Sequence, residues 1–141
     1  MITMIIDATD HVLGRVASFV AKKTLLGETV EIVNCDQAVI TGTKVNIMHR
    51  YKAKTSRGDP FHGPYIGRQS HMMFRRTIRG MLPRRQEKGL SAYRRIKCHI
   101  GVPEHLKDRK FEQVKGADIS KMSNLKYMKL GEVCKLLGGR I

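Results

Sequence analysis

Between Phe74 and Arg85 the chain sets five arginines (Arg75, Arg76, Arg79, Arg84 and Arg85) among twelve residues and no acid. A guanidinium presents a planar fork of donors that matches phosphate geometry. The chemistry this stretch offers is recognition of an anion. Read as a helix, Phe74, Ile78, Met81 and Leu82 fall at i, i+4, i+7 and i+8 and form one apolar stripe, while Arg75, Arg76 and Arg79 point away from it. A solvated helix face normally mixes signs, and this one does not. Pro83 cannot continue the helix, so Arg84 and Arg85 leave along another path. Gly80 lets backbone approach closely, either that of a nucleic acid or that of a second helix, with helix packing the favoured use.

Groups that could catalyse are sparse. Asp7 and Asp10 follow the first apolar run, where α/β enzymes often place catalytic residues. Capping of the next helix by Asp10 or Thr9 accounts for that position more simply. Thr41-Gly42-Thr43-Lys44 has the order G-T-K rather than G-K-T, and Gln37 stands where a phosphate loop needs its first glycine. Cys98, His99 and His105 hold possible metal donors, but neighbouring strand residues point in opposite directions and no second pair stands at zinc spacing. His62 and His71 are likewise off ligand spacing. No catalytic residue, cofactor or metal ligand is therefore expected. An enzyme acting on a phosphorylated substrate is the alternative, and it requires a pocket holding Asp7, Asp10 or Asp36.

The distribution of charge agrees with anion binding. The 141 residues carry a formal net charge of +15. Residues 1–43 contribute −2, residues 44–110 contribute +14 and residues 111–141 contribute +3. Such an excess repels itself unless a polyanion neutralises it, and a nucleic acid is the obvious one. A DNA-binding or chromatin protein is a further alternative. No run of about 18 apolar residues predicts a membrane span. The opening Met1-Ile2-Thr3-Met4-Ile5-Ile6 reaches Asp7 at once, which suits a buried strand rather than a signal peptide. Cys35, Cys98 and Cys134 are odd in number and widely spaced, as in a reducing cytosol.

These groups need elements to hold them. Met4–Asp7 reads as a strand, 12–26 as a helix with Leu13, Val16, Ala17 and Val20 inward, and Thr29–Val33 as a second strand. Strand, helix and strand within 33 residues make a βαβ unit with parallel strands. Asn34–Gln37 is a turn, Ala38–Ile40 a short strand, and 44–54 a helix capped by Thr41 or Thr43. Residues 55–70 hold three glycines and two prolines, which excludes regular structure over most of their length. There Phe61, His62 and Tyr65 stand among Arg57 and Arg68, a composition suited to stacking on bases and touching phosphates. A turn at 86–89, a helix at 90–95, a strand at 96–100 and a small helix at 129–137 follow, with Leu130, Val133, Cys134 and Leu137 on one side. Gly138 to Ile141 reads as a flexible end.

Asp7-Ala8 followed by Leu13-Gly14-Arg15-Val16-Ala17-Ser18 and Val20-Ala21 resembles the opening of the large-subunit ribosomal protein thirteen family. Thr77-Ile78-Arg79-Gly80-Met81-Leu82-Pro83 resembles that family's most distinctive motif. Asn34 and Thr41-Gly42 stand between the two motifs, and a lysine-bearing strand ending in Gly101-Val102-Pro103 follows them. The likeness covers about residues 4–105. The direct step from Gly27 into the second strand, Gly63-Pro64 and the basic tail resemble the archaeal and eukaryotic branch. The resemblance implies a three-layer α/β/α fold with a four-stranded, mostly parallel sheet in one domain over 1–105, and a basic extension over 106–141. It implies a structural, non-enzymatic role in the cytoplasmic ribosome, binding large-subunit rRNA beside neighbouring ribosomal proteins and aiding subunit assembly. No homo-oligomer, small-molecule substrate or membrane partner is expected. Combined with the charge pattern, it places phosphate contacts at Arg50, Lys52, Lys54, Arg57, Arg68, Arg75, Arg76, Arg79, Arg84, Arg85, Arg94 and Arg95. Phe61, His62 and Tyr65 are expected against riboses or bases.

Overall fold

The computed structural model describes residues 3–140; Met1, Ile2 and Ile141, which belong to the expected first strand and flexible end, lie outside them. Strand β1 (Thr3–Asp7), helix α1 (Leu13–Leu25) and strand β2 (Thr29–Val33) follow one another as expected. β1 pairs parallel with β2, Ile5 opposite Glu31 and Ile6 opposite Ile32. Val30, Ile32 and Val33 are fully buried, as a strand flanked on both edges and covered on both faces requires.

The class is α/β as expected, but the strands divide differently. β3 (Val39–Thr41) does not join the parallel sheet. Asn34 turns the chain through a left-handed conformation (φ 54°) into a one-turn 3₁₀ segment, Cys35–Gln37. β3 then meets the start of α1, where Val39 N donates to His11 O at 2.9 Å. It pairs antiparallel with β5 (Tyr127–Lys129). The third parallel strand is β4 (Ile96–Cys98), giving the order β1-β2-β4. The open edge of β1 is closed by one tail residue: Glu112 N donates to Ile5 O and Asp7 N to Glu112 O.

Helices α2 (Lys44–Thr55), α3 (Ser70–Gly80), α4 (Glu87–Arg94) and α5 (Leu130–Leu136) complete the fold. The main core lies on one sheet face, where Ile6, Val30, Ile32 and Ile96 meet Val16, Val20, Phe74, Ile78, Leu130 and Val133. Each such side chain contributes about 1.5–3 kcal/mol of burial. The opposite face carries Ile5 and Val33, covered by Leu106 and Val102. The second outer layer is therefore a 3₁₀ turn, Glu104–Leu106, and extended chain, with no helix among the described residues of that cluster.

The expected cap of α1 is corrected. Its N-cap is Val12, with no side-chain hydrogen bond. Asp7 instead accepts three hydrogen bonds on Oδ1, from Thr9 Oγ1 at 2.6 Å, Thr9 N at 3.0 Å and Asn34 Nδ2 at 3.1 Å. It ties the ends of two parallel strands to the left-handed turn. Asp10, itself at φ 54°, lies beside Lys129. Thr43 does cap α2, accepting from Asn46 N.

Burial pushes the Asp7 carboxyl upward, but the bonds from Thr9 and Asn34 outweigh it and hold the pKa below its ordinary value. A group depressed on folding adds stability above its unfolded pKa, roughly 3.9, and loses it as pH falls through the folded value. Asp7→Ala should destabilise by about 1 kcal/mol at pH 7, screening included. In urea melts the gap to the parent protein should shrink as pH drops below roughly 4; a gap independent of pH would exclude the charged network.

Candidate nucleic-acid interface

α3 fixes the arginine face. It begins at Ser70, one turn before Phe74, so Met73 joins Phe74 and Ile78 in the core. It ends at Gly80, and Met81 is the C-cap, 43% exposed rather than part of the inward stripe; Leu82 remains buried. After Pro83 the chain passes against α4, which starts at Glu87 rather than at residue 90. A Cβ at Gly89 would lie 2.2 Å from Pro83 O, so only glycine admits this crossing.

Three adjoining clefts lie beside α3 and the 55–68 loop. The first, about 370 Å³, lies between α2 and α3 and is lined by Tyr51, Lys54, Met73, Arg76, Thr77 and Gly80, with Thr55, Ile66 and Arg79. The second, about 320 Å³, is built from the 55–68 loop and holds Arg57, Tyr65 and Arg68. The third, about 300 Å³, is lined by Tyr65, His71, Arg75, Arg76, Arg79 and Tyr93. Shared walls make one surface of them: Thr55 and Ile66 belong to the first and second, Tyr65 to the second and third, Arg76 and Arg79 to the first and third. The clefts thus gather Lys54, Arg57, Tyr65, Arg68, Arg75, Arg76 and Arg79. Arg50, Lys52, Arg84, Arg85 and Arg94 are exposed but line none of the three.

Several of the cations have internal work. Arg68 donates to Leu137 O at 3.0 Å and so fastens the chain's end, where Gly139 N also donates to Cys134 O. The expected flexible end is thus hydrogen-bonded as far as residue 139. Arg75 lies 4.3 Å over the Tyr93 ring and reaches Tyr93 O. Arg95 donates to Thr24 O at the end of α1. Arg75 Nε, His71 Nδ1 and Ser70 Oγ are buried without a hydrogen-bond partner among the described residues.

The loop is folded on itself. Asp59 and Gly63 exchange backbone hydrogen bonds, the Gly63-Pro64 peptide is cis, Asp59 Oδ1 accepts from Phe61 N, and the Tyr65 hydroxyl donates to Phe61 O. Phe61 is 85% and Tyr65 76% exposed, and His62 is exposed beside them. The expectation that Gly80 serves helix packing is corrected: a Cβ there meets nothing within 4 Å, and the residue opens onto the first cleft.

None of the twelve expected phosphate contacts pairs with a carboxylate among the described residues. The five ion pairs among the described residues use Lys23, Lys97, His99, His105 and Lys129. Burial, then the repulsion of Arg76, Arg50 and Arg57, pulls Lys54 below its ordinary pKa. Burial followed by repulsion from His99 lowers His71.

The groups that could catalyse are occupied. Asp36 lines a small cleft with Glu132 and Lys135, yet its oxygens accept from Gln37 Nε2 and Gly101 N. Cys35 is held well above the ordinary thiol range by its hydrogen bond with Cys98 and by burial. Burial pushes Cys134 up to about 11. Neither is a ready nucleophile. One convergence escaped the sequence: Glu31, His99 and His105 bring donor atoms within 4.8 Å of one another. Glu31 is 68 positions from His99, so no linear spacing could reveal it. His71, Ile66 and Thr77 in the cleft walls were missed likewise, having only ordinary loop or helix positions to mark them.

The α/β scaffold thus carries adjoining clefts whose arginines and Lys54 have no carboxylate partner among the described residues. The model of the family ribosomal protein L13 matches residues 2–105. The chain is 46% identical over 137 residues to the large ribosomal subunit protein uL13 of Archaeoglobus fulgidus, covering 96% of this chain and 88% of that protein. It is 41% identical over 136 residues to the uL13 protein of Methanopyrus kandleri (95% and 86% covered) and 38% over 135 residues to that of Haloarcula marismortui (96% and 90%). The chain belongs to the ribosomal protein L13 family. The similarity extends past residue 105 into the tail.

Gly58 anchors the loop's turn: at φ +84°, an added Cβ would lie 2.0 Å from Gly63 O. Gly58→Ala should break the 59–63 turn at a strain of about 1–3 kcal/mol. Proteolysis should then cut faster within 55–66, while the core's melting is unchanged. Unchanged cleavage would mean that the loop is not held this way.

Proposed function

We propose that the three clefts along α3, with the exposed bases flanking them, form the rRNA-binding surface of a structural constituent of the large ribosomal subunit. The carrying observation is that Lys54, Arg57, Arg76 and Arg79 converge on one surface and have no carboxylate partner among the described residues. Lys54, Arg57, Arg76 and Arg79 take phosphates in the clefts. Arg50, Lys52, Arg84, Arg85 and Arg94, exposed outside the clefts, take further phosphates. Arg68, Arg75 and Arg95 each spend a hydrogen bond on the scaffold and contribute their charge to the same surface. Phe61, His62 and Tyr65 pack on riboses or bases at the loop tip. RNA is read by shape and phosphate position more than by base edge.

The protein works in the cytoplasmic ribosome and is not an enzyme. Residues 1–105 act as the domain and the tail as its wrap. Val114, Ala117, Met128 and Leu130 enter the main core, while Leu125, 89% exposed, stays free for a neighbouring ribosomal protein. No helix among the described residues is long and apolar enough to cross a membrane.

Filter binding to a structured large-subunit rRNA fragment tests this. Going from 50 to 200 mM salt should weaken binding by roughly 10³–10⁵ if six to ten phosphates are engaged. Lys54→Gln, Arg76→Gln and Arg79→Gln should each lower the salt slope by about 1 with the fold retained. Preference for duplex DNA of equal length would end the reading. Gly80→Ala separates binding from folding. It should raise stability by about 0.5–1 kcal/mol, because the site is open and helical, yet weaken RNA binding where backbone closes on the cleft. A variant that binds as well as its parent would remove the cleft floor from the interface.

A further inference from the structure

We infer that Glu31, His99 and His105 form a divalent metal site of the zinc class, which clamps the 102–106 segment onto the sheet. Glu31 lies mid-strand in β2 on the thinly covered face, 8% exposed. His99 Nε2 stands 3.0 Å from Glu31 Oε2, and His105 Nε2 is 3.8 Å from the same oxygen. The second distance is too long for a hydrogen bond. Two imidazole nitrogens therefore converge on one buried carboxylate, and only one is satisfied by it. The rings meet nearly edge to face, centroids 5.9 Å apart.

The spacing fits an ion. Glu31 Oε2 lies 3.0 Å from His99 Nε2 and 3.8 Å from His105 Nε2, and one donor atom from each residue lies within 4.8 Å of the others; the first two distances bracket the roughly 3.3–3.6 Å between ligand atoms that tetrahedral bonds of about 2.0–2.2 Å require. Two histidines, one carboxylate and a water make a usual zinc set. Lys97 Nζ, 3.7 Å from Glu31 Oε1, is the competing cation, but its side chain is 64% exposed and can swing away.

The place gives the ion a use. Beyond this group, the second face is held by Ile5, Val33 and Leu106 with Val102. Glu31 and His99 belong to the sheet and its immediate continuation, and His105 to the 3₁₀ turn laid over it. An ion bonded to all three would replace missing apolar burial with a cross-link.

Titration of the tag-free full-length chain, stripped with EDTA, tests the site, with Zn²⁺ as the probe in competition with a chromophoric chelator. One Zn²⁺ per chain is expected, and His105→Ala and His99→Ala should each weaken it by about tenfold or more. His105 is exposed, so its removal should leave the far-ultraviolet circular dichroism unchanged. Lys97→Met should tighten binding, an effect a plain Glu31–His99 ion pair would not produce. Zn²⁺ should raise the melting temperature of the parent chain and not of His105→Ala. Co²⁺ in place of Zn²⁺ should give four-coordinate ligand-field bands without thiolate charge transfer. Absence of stoichiometric binding, an affinity indifferent to His105, or a thiolate band that moves the ion to Cys35 and Cys98 would each overturn the assignment.

Discussion

Like-charge repulsion is the constraint that orders this molecule. A chain of net charge +15 must keep its cations apart or find them a counter-charge. Its few acids do not serve the purpose. Asp7 accepts from Thr9 and Asn34, Asp36 accepts from Gln37 and Gly101, and Glu31 pairs with Lys97 and His99. These acids are engaged at a strand end, a turn and the middle of β2, and among the described residues none pairs with the arginine surface. Lys54 is held below its ordinary pKa first by burial and then by the repulsion of Arg76, Arg50 and Arg57, and the second part is the local trace of that imbalance. A phosphate placed in the cleft removes the repulsion, so part of the binding energy is relief of a strain already present in the free protein.

Rigidity in the scaffold lets the repulsion be tolerated. Phe74 and Ile78 are fully buried, so α3 cannot roll its arginines apart without opening the core. Arg75 stacked on Tyr93 and Arg95 on the end of α1 tie α3, α4 and α1 together. Arg68 bonds the loop's end to the tail at Leu137. These three arginines hold in place the surface on which their neighbours stand exposed.

Much of this was legible in the sequence because it is local. The βαβ opening, the arginine helix with Phe74 and Ile78 inward, its end before Pro83 and the stripe Leu130, Val133, Cys134 and Leu137 all follow from periodicity and capping. What was not legible depends on where distant segments meet. β3 has the same apolar look whether it joins a parallel sheet or pairs with β5, since periodicity names a strand and not its partner. Met81 has the right spacing for the stripe but falls beyond the last helical turn. Asp10 has the right residue type for a cap, yet its left-handed backbone and the bridge of His11 to Val39 move the helix start to Val12. The roles of Arg68, Arg75 and Arg95 as internal fasteners were hidden for the same reason, because a carbonyl 18 to 71 positions away leaves no mark in a sequence window.

The loop at 55–68 unites both kinds of information. Its composition announced a functional segment without regular structure, and its order comes from contacts too close for any side chain at Gly58. A loop that is already turned, with Tyr65 bonded back to Phe61, loses less entropy on meeting RNA than a disordered one. The exposed aromatics are therefore presented rather than recruited. That suits the rRNA-binding role proposed for this surface: a preformed loop and a cationic helix would match a rigid, folded polyanion in shape and in charge.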